Sequence, residues 1–256
     1  MRRLLVIGIG AGDPEHVTVQ AVRALNEVEV FFVIDKGGET DELVALRHGI
    51  CERFVEDPSY RIVEVPDPPR DRTTAAYGAA VDDWRARRAA TWETPLRDEL
   101  GEDGVGAFLV WGDPSLYDST IDVIERVLAA GRVQLAYEVI PGISAVHALT
   151  ARHRIPLNRV GGAVQITTGR RLAAGGWPQD ADDVVVMLDA DCSFRRLDPA
   201  GVDIYWGAYL GTPDELLLAG PLAEAGPEVQ RVRAQARARK GWIMDTYLLR
   251  RSRSHE

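Results

Sequence analysis

The chain has 256 residues, enough to bury a sizeable core as one large domain or two ordinary ones. Its apolar fraction of 46% is that of a soluble globular protein, and no apolar run approaches the ~20 residues needed to cross a bilayer. A net charge of −9 argues against nonspecific nucleic-acid binding; two distant cysteines, Cys51 and Cys192, and five histidines without HExxH spacing argue against a disulfide scaffold and a dedicated metal site.

In chain order, Leu4 to Ile9 is a continuous apolar run ending in glycines, the pattern of a buried parallel strand. With Met1-Arg2-Arg3 before it, the run imitates a signal peptide. It is short, however, and Gly12-Asp13-Pro14-Glu15 interrupts it without a processing pattern, so the expected location is the cytoplasm. Thr18 is placed to cap a helix carrying Val19, Val22 and Leu25. Val28 to Ile34 and Ile62 to Val65 read as strands, and Pro66 to Pro69 as a loop. Thr74 to about Leu100 reads as helical, interrupted near Pro95. Val105 to Trp111 is a strand, Ile121 to Ala130 a helix, and Leu135 to Ile140 another strand.

Beyond Pro141 the strands change character. Val164 to Thr168, Val184 to Leu188, Ile204 to Tyr209 and Leu216 to Ala219 are separated by loops as well as helices. A helix over Arg231 to Lys240 and a last strand over Trp242 to Leu249 follow. The expected architecture is α/β in two domains. Residues 1–141 form a mainly parallel domain and 142–256 a mixed one. The basic runs Arg85, Arg87, Arg88 and Arg231, Arg233, Arg237, Arg239, Lys240 read as solvated helix faces.

Three glycine loops follow strands. The first, Gly8-Ile9-Gly10-Ala11-Gly12-Asp13, imitates a dinucleotide fingerprint, but Asp13 stands where the third glycine belongs and would face a pyrophosphate. Asp35, ending the second strand, imitates a ribose-binding acid and is equally a turn residue. A nicotinamide cofactor is therefore disfavoured. Trp111-Gly112-Asp113-Pro114-Ser115-Leu116-Tyr117 and Pro141-Gly142-Ile143-Ser144-Ala145 follow two further strands. Each loop alone reads as an ordinary turn. Together they lie where open α/β sheets bind ligands, beyond the carboxyl ends of strands.

In order and spacing, GIGAGDPEHVT (Gly8 to Thr18), GDPSLY (Gly112 to Tyr117) and PGISA (Pro141 to Ala145) resemble the signatures of the tetrapyrrole methylase family. The likeness spans nearly the whole chain. ARHRIPLNRVGG (Ala151 to Gly162), TTGRRL (Thr167 to Leu172), MLDADCSFR (Met187 to Arg195) and WGAYLGTPDE (Trp206 to Glu215) point to the branch that also removes an acetyl group from the ring.

The resemblance implies two α/β domains with a cleft between them, a homodimer, and S-adenosylmethionine as methyl donor. Mapped by motif, it implies cofactor contacts at Ala11, Gly112, Asp113, Leu116, Ser144, Ala145, Met187 and Ala208. It implies methylation of precorrin-5 at ring carbon C1, with water and loss of acetate, to give precorrin-6A. Methyl transfer mainly needs alignment, whereas deacetylation favours a base for water and donors for an oxyanion. Asp35, Tyr77, Tyr117, His147 and His153 are the candidates. A polycarboxylate substrate on an acidic protein calls for a local basic rim, for which Arg72, Arg154, Arg170 and Arg171 are candidates. Rival readings are a family member acting elsewhere on the corrin ring or on a protein, an NAD(P)H-dependent oxidoreductase of the same pathway, and a noncatalytic tetrapyrrole carrier.

Overall fold

The computed structural model describes residues 1–35, 41–69 and 77–251, leaving aside the side chains of Asp35, Asp41 and Tyr77. The chain divides into two compact units, Met1–Ile143 and Ser144–Glu256.

The first unit contains β1 (Arg3–Gly8), α1 (Val19–Leu25), β2 (Val30–Asp35), α2 (Asp41–Phe54), β3 (Arg61–Pro66), α3 (Tyr77–Asp98), β4 (Val105–Val110), α4 (Thr120–Ala129) and β5 (Ala136–Ile140). Its five described strands are all parallel, in the order β3-β2-β4-β1-β5. Parallel strands need helices on both faces, and alternate residues show it. Leu4 and Val6 pack with Trp92 and Leu96 of α3 and with Val123 and Val127 of α4. Leu5 and Ile7 pack with Ala21 and Leu25 of α1 and with Ile50 and Cys51 of α2. At the start of α1 the Thr18 hydroxyl accepts the Ala21 N–H at 3.0 Å.

Helix α3 differs from the sequence expectation, since it runs through Pro95 without a break. Trp92, Leu96 and Leu100 are all buried and anchor it on both sides of the proline, while the Glu99 N–H bonds the Pro95 carbonyl at 3.0 Å. Helix α2 gave no sequence signal. Among its described residues only Ile50 and Cys51 are buried, too few to write an apolar stripe.

The second unit contains α5 (Ala145–His153), β6 (Val164–Thr168), α6 (Gly169–Gly175), β7 (Asp183–Met187), β8 (Val202–Ala208), β9 (Leu216–Pro221), α7 (Leu222–Lys240) and β10 (Asp245–Arg251). Its sheet is mixed, in the order β6-β7-β10-β8-β9: β6 and β7 are parallel and the other pairs antiparallel. Helix α7 starts nine residues before the expected Arg231. Its buried stripe is Leu222, Gly226, Val229, Arg233 and Ala236, at helical spacing, and a charged residue in that stripe hides it from a hydropathy reading.

Two arginines correct the expectation of solvated faces. Arg88 is only 3% exposed; it lies over Trp84 and Trp92 and pairs with Asp67 at 2.7 Å. Arg233 is 8% exposed and pairs with Asp245 at 2.8 Å.

Candidate active site

In the first unit, β4, β1 and β5 are adjacent and parallel, so their three following loops leave the same end of the sheet. Backbone contacts join those loops. The Gly112 N–H donates to the Gly10 carbonyl at 2.8 Å, and the Gly10 N–H to the Gly112 carbonyl at 3.2 Å. Gly8 and Gly142 touch directly: a Cβ on Gly142 would lie 2.1 Å from the Gly112 carbonyl oxygen, and a Cβ on Gly8 2.6 Å from the Gly142 nitrogen. Only glycine permits this approach.

Asp113 completes the junction. One carboxylate oxygen accepts the Gly142 N–H at 2.9 Å; the other accepts the Ser115 N–H at 2.9 Å and the Ser115 hydroxyl. The carboxylate thus binds two of the loops together, a positioning task that the motif alone does not reveal. Asp13 also has a local task, accepting the Glu15 N–H at 2.9 Å at the start of a short 3-10 turn, Pro14–His16.

In the second unit, the expected cofactor residues end β7 and β8 and open α5. Ser144 caps α5; its hydroxyl accepts the His147 N–H at 3.4 Å and lies 2.8 Å from His147 Nδ1. Met187 ends β7, and Ala208 ends β8, fully buried. The loop after Met187 is held from beneath by a polar network that sequence reasoning missed. Asp189, 6% exposed, accepts the Ser193 N–H at 2.6 Å, the Ser193 hydroxyl at 2.9 Å and the Tyr247 hydroxyl at 2.6 Å. Arg233 donates to the Asp189 carbonyl at 2.7 Å and to Asp245, which also accepts the Trp206 indole N–H at 2.9 Å. Burial, followed by the Asp189 charge, pushes the Tyr247 hydroxyl pKa up, so it stays a donor.

Among the described residues, five non-glycine residues adopt left-handed backbone: Tyr117, Arg154, Leu188, Cys192 and Tyr209. Three of them directly follow expected cofactor positions. Tyr117 (φ 53°) follows Leu116, Leu188 (φ 52°) follows Met187, and Tyr209 (φ 50°) follows Ala208. Such strain persists only where surroundings impose it, and it concentrates at functional sites. Leu188 is also 66% exposed and Tyr117 45%, so large side chains are offered to solvent from strained backbone.

The remaining candidates are distributed as follows. His147 is exposed, with no partner for Nε2 among the described residues. His153 Nε2 donates to the Trp206 carbonyl at 3.0 Å, and its ring meets Tyr205 edge-on, a packing role. Arg154 is the left-handed C-cap of α5, and Arg170 and Arg171 lie exposed on α6. Asp35 ends β2 opposite Pro66, and Tyr77 opens α3. Arg72, and the side chains of Asp35 and Tyr77, lie outside the described residues.

Comparison with known proteins gives a consistent set of likenesses. The family profile described as tetrapyrrole (corrin/porphyrin) methylases matches residues 3–226. A precorrin-6A synthase (deacetylating) from Sinorhizobium sp is 52% identical over 251 residues, 98% of this chain and 96% of that protein. Among solved structures, a cobalamin-synthesis-related protein (CobF) from Corynebacterium diphtheriae superposes with a TM-score of 0.86 at 39% identity, covering 99% of this chain and 100% of that one. A uroporphyrin-III C-methyltransferase from Thermus thermophilus, complexed with S-adenosylhomocysteine, shares the fold with a TM-score of 0.56 at 18% identity, covering 97% of each chain.

Proposed function

We propose a function from one premise: the chain belongs to the tetrapyrrole (corrin/porphyrin) methylase family. It is an S-adenosylmethionine-dependent C-methyltransferase that converts precorrin-5 to precorrin-6A with loss of acetate, a step of cobalamin biosynthesis. The observation that carries this is the 52% identity, over 98% of the chain, to a deacetylating precorrin-6A synthase.

The residues present suit the methyl donor. Leu116 and Met187 are half-buried and Leu188 is exposed, which supplies apolar surface beside strained strand ends. Asp13, capping its turn, puts a carboxylate where a dinucleotide would need to place phosphate. Ala11, Gly112, Asp113, Leu116, Ser144, Ala145, Met187 and Ala208 are the proposed contacts. Asp113 acts by fixing the Gly112 and Gly142 loops, and Ala208 through its backbone, because its side chain is buried. S-adenosylmethionine, when bound, supplies an electrophilic methyl group on a sulfonium.

The protein's own task is to orient the ring carbon and to manage the deacetylation. In that step water adds to the acetyl carbonyl, the bond between acetyl carbon and ring breaks, acetate leaves, and the electron pair passes to the ring. His147 is the proposed proton-transfer group. If its Nδ1–H donates to Ser144 Oγ, Nε2 keeps a lone pair for water; in the other tautomer Nε2–H is a donor for the oxyanion. Asp35, Tyr77 and Tyr117 are proposed as supporting acid–base groups, and His153 is set aside because its Nε2 already serves Trp206. Arg72, Arg154, Arg170 and Arg171 are proposed to meet substrate carboxylates. A homodimer in the cytoplasm is the proposed working form; among the described residues no helix is long and apolar enough to cross a membrane.

The test is incubation of the purified protein with enzymatically made precorrin-5 and S-adenosylmethionine, following acetate release and pigment mass. A product that has gained a methyl group and lost an acetyl group, with stoichiometric acetate, is expected. Methyl gain without acetate moves the activity to another corrin position. No turnover combined with no S-adenosylhomocysteine binding refutes the methyltransferase reading.

A further inference from the structure

Strand order in the first unit marks one crevice. From β1 the chain steps past β4 to β2 and outward to β3, whereas from β4 it steps past β1 to β5. Neighbouring β2 and β4 therefore send their following connections in opposite directions, which is where open α/β sheets bind ligands. The pairing is open there. The β2–β4 ladder ends at Phe32 and Phe108, although β2–β3 continues to Asp35 and β1–β4 continues to Val110.

Carbonyl direction shows what fills the opening. The Val105 carbonyl accepts the Glu29 N–H on the β2 side, and the Val110 carbonyl accepts the Ile9 N–H on the β1 side. Carbonyls alternate along a strand, so that of Leu109 faces β2 after the ladder has ended. It is met by Arg47 of α2, whose Nε–H donates to it at 3.1 Å, while Nη1 donates to the Leu43 carbonyl at 3.1 Å.

Arg47 is unusually placed for a cation. A guanidinium has five donors, and these two acceptors are neutral. The other enclosed arginines named above are paired with carboxylates, Arg88 with Asp67 and Arg233 with Asp245. Among the described residues no carboxylate forms an ion pair with Arg47. Burial pushes its pKa down, and the charge of Asp118 offsets this only in part. The side chain remains partly accessible. An incoming anion would supply a countercharge that no described residue provides as an ion pair with Arg47.

We infer that Arg47 binds a side-chain carboxylate of the tetrapyrrole substrate at the open carboxyl ends of β2 and β4. This rests on the methyltransferase function proposed above, whose substrate is a polycarboxylate. The planar fork of arginine suits a carboxylate, and its Nε–H bond to Leu109 fixes the fork in place.

Arg47→Gln tests it, since glutamine keeps a donor for the Leu109 carbonyl and removes the charge. The expected result is a KM for precorrin-5 raised on the order of tenfold or more, with a weaker dependence of KM on salt. S-adenosylhomocysteine affinity and thermal stability should stay at wild-type values. Arg47→Lys, which keeps charge without the fork, should recover part of the loss. An unchanged KM in Arg47→Gln overturns the inference. So does a parallel loss of S-adenosylhomocysteine affinity and thermal stability, which makes Arg47 a plug for a backbone carbonyl. If the glutamine variant fails to fold, the lysine variant decides: a raised KM at wild-type stability supports the inference, and a wild-type KM overturns it. A wild-type protein without turnover of precorrin-5 overturns the proposed function itself, and the inference with it.

Discussion

The two units hold their candidate loops by different means. In the first, loops after adjacent strands are joined through backbone: Gly8 against Gly142, Gly10 bonded to Gly112, and the Asp113 carboxylate bridging to Gly142. In the second, the loop after Met187 rests on side chains from distant parts of the chain: Asp189, Ser193, Arg233, Asp245 and Tyr247. A backbone junction tolerates no added volume, whereas a side-chain network tolerates no missing partner. Opposite kinds of substitution should therefore break the two units.

Adding one methyl group should do the greatest damage in the first unit. In Gly142→Ala the new Cβ meets the Gly112 carbonyl oxygen at 2.1 Å, and neither partner is a flexible side-chain end. We expect a loss of more than about 4 kcal/mol, a size that signals rearrangement of packed structure. Urea unfolding should show it, with S-adenosylhomocysteine binding abolished. Gly175→Ala, where a Cβ meets nothing within 4 Å, serves as the control and should be nearly silent. If both substitutions are equally mild, the loops are not joined as described.

In the second unit the damaging change is a deletion. Arg233→Met keeps much of the apolar stem but leaves Asp245 buried without its cation and the Asp189 carbonyl without a donor. Breaking a buried pair in this way should cost about 3 kcal/mol, read as a lower urea midpoint. Replacing Arg233 and Asp245 together by apolar residues should cost less than the single change, because no lone charge is left behind.

The same contrast explains what the sequence could reveal. The junction of the first unit is written in glycines, next to one another and in strand-end motifs, so GIGAGD, GDPSLY and PGISA disclose the three loops. The alternating strand–helix pattern and the change from parallel to mixed sheet were legible for similar reasons, since apolar runs and glycine punctuation are local signals. The network of the second unit was not legible. Tyr247 lies 58 residues from Asp189, and Arg233 lies 44 from it. The arginine also interrupts the apolar stripe of α7, which concealed both the helix start and the ion pair. Arg47 was hidden in the same way, on a helix with little amphipathic pattern.

Alkaline pH should reach both units, through different groups. Burial, then the charge of Glu52, pushes the Cys51 thiol up from 9.0 to about 12 in the first unit. Burial and Asp189 push the Tyr247 hydroxyl above its ordinary 10.0 in the second. In both cases the folded state holds its proton more tightly than the unfolded state. The associated stability is fully present below the unfolded pKa and falls as pH rises beyond it. The decline should begin near pH 9 and steepen above 10. Cys51→Ala should remove the earlier part and Tyr247→Phe the later part, measured as urea midpoints between pH 8 and 11. Identical profiles in all three proteins would remove both groups from the account.

The smallest effect should have the opposite sign. Leu188 is held at φ 52° while 66% exposed, so replacing it loses little buried surface. Left-handed backbone costs an ordinary residue about 1–2 kcal/mol, and glycine is spared that cost while giving back roughly 0.5–1 kcal/mol through the unfolded chain. Leu188→Gly should therefore raise stability by about 0.5–1 kcal/mol. If the network beneath imposes the strain to present the leucine, the same variant should bind S-adenosylhomocysteine or precorrin-5 more weakly. A gain in stability with unchanged binding would mean that the strain presents nothing. A loss of stability would mean that the exposed leucine has a packing partner, and that the loop, like the glycine junction in the first unit, is held by contact.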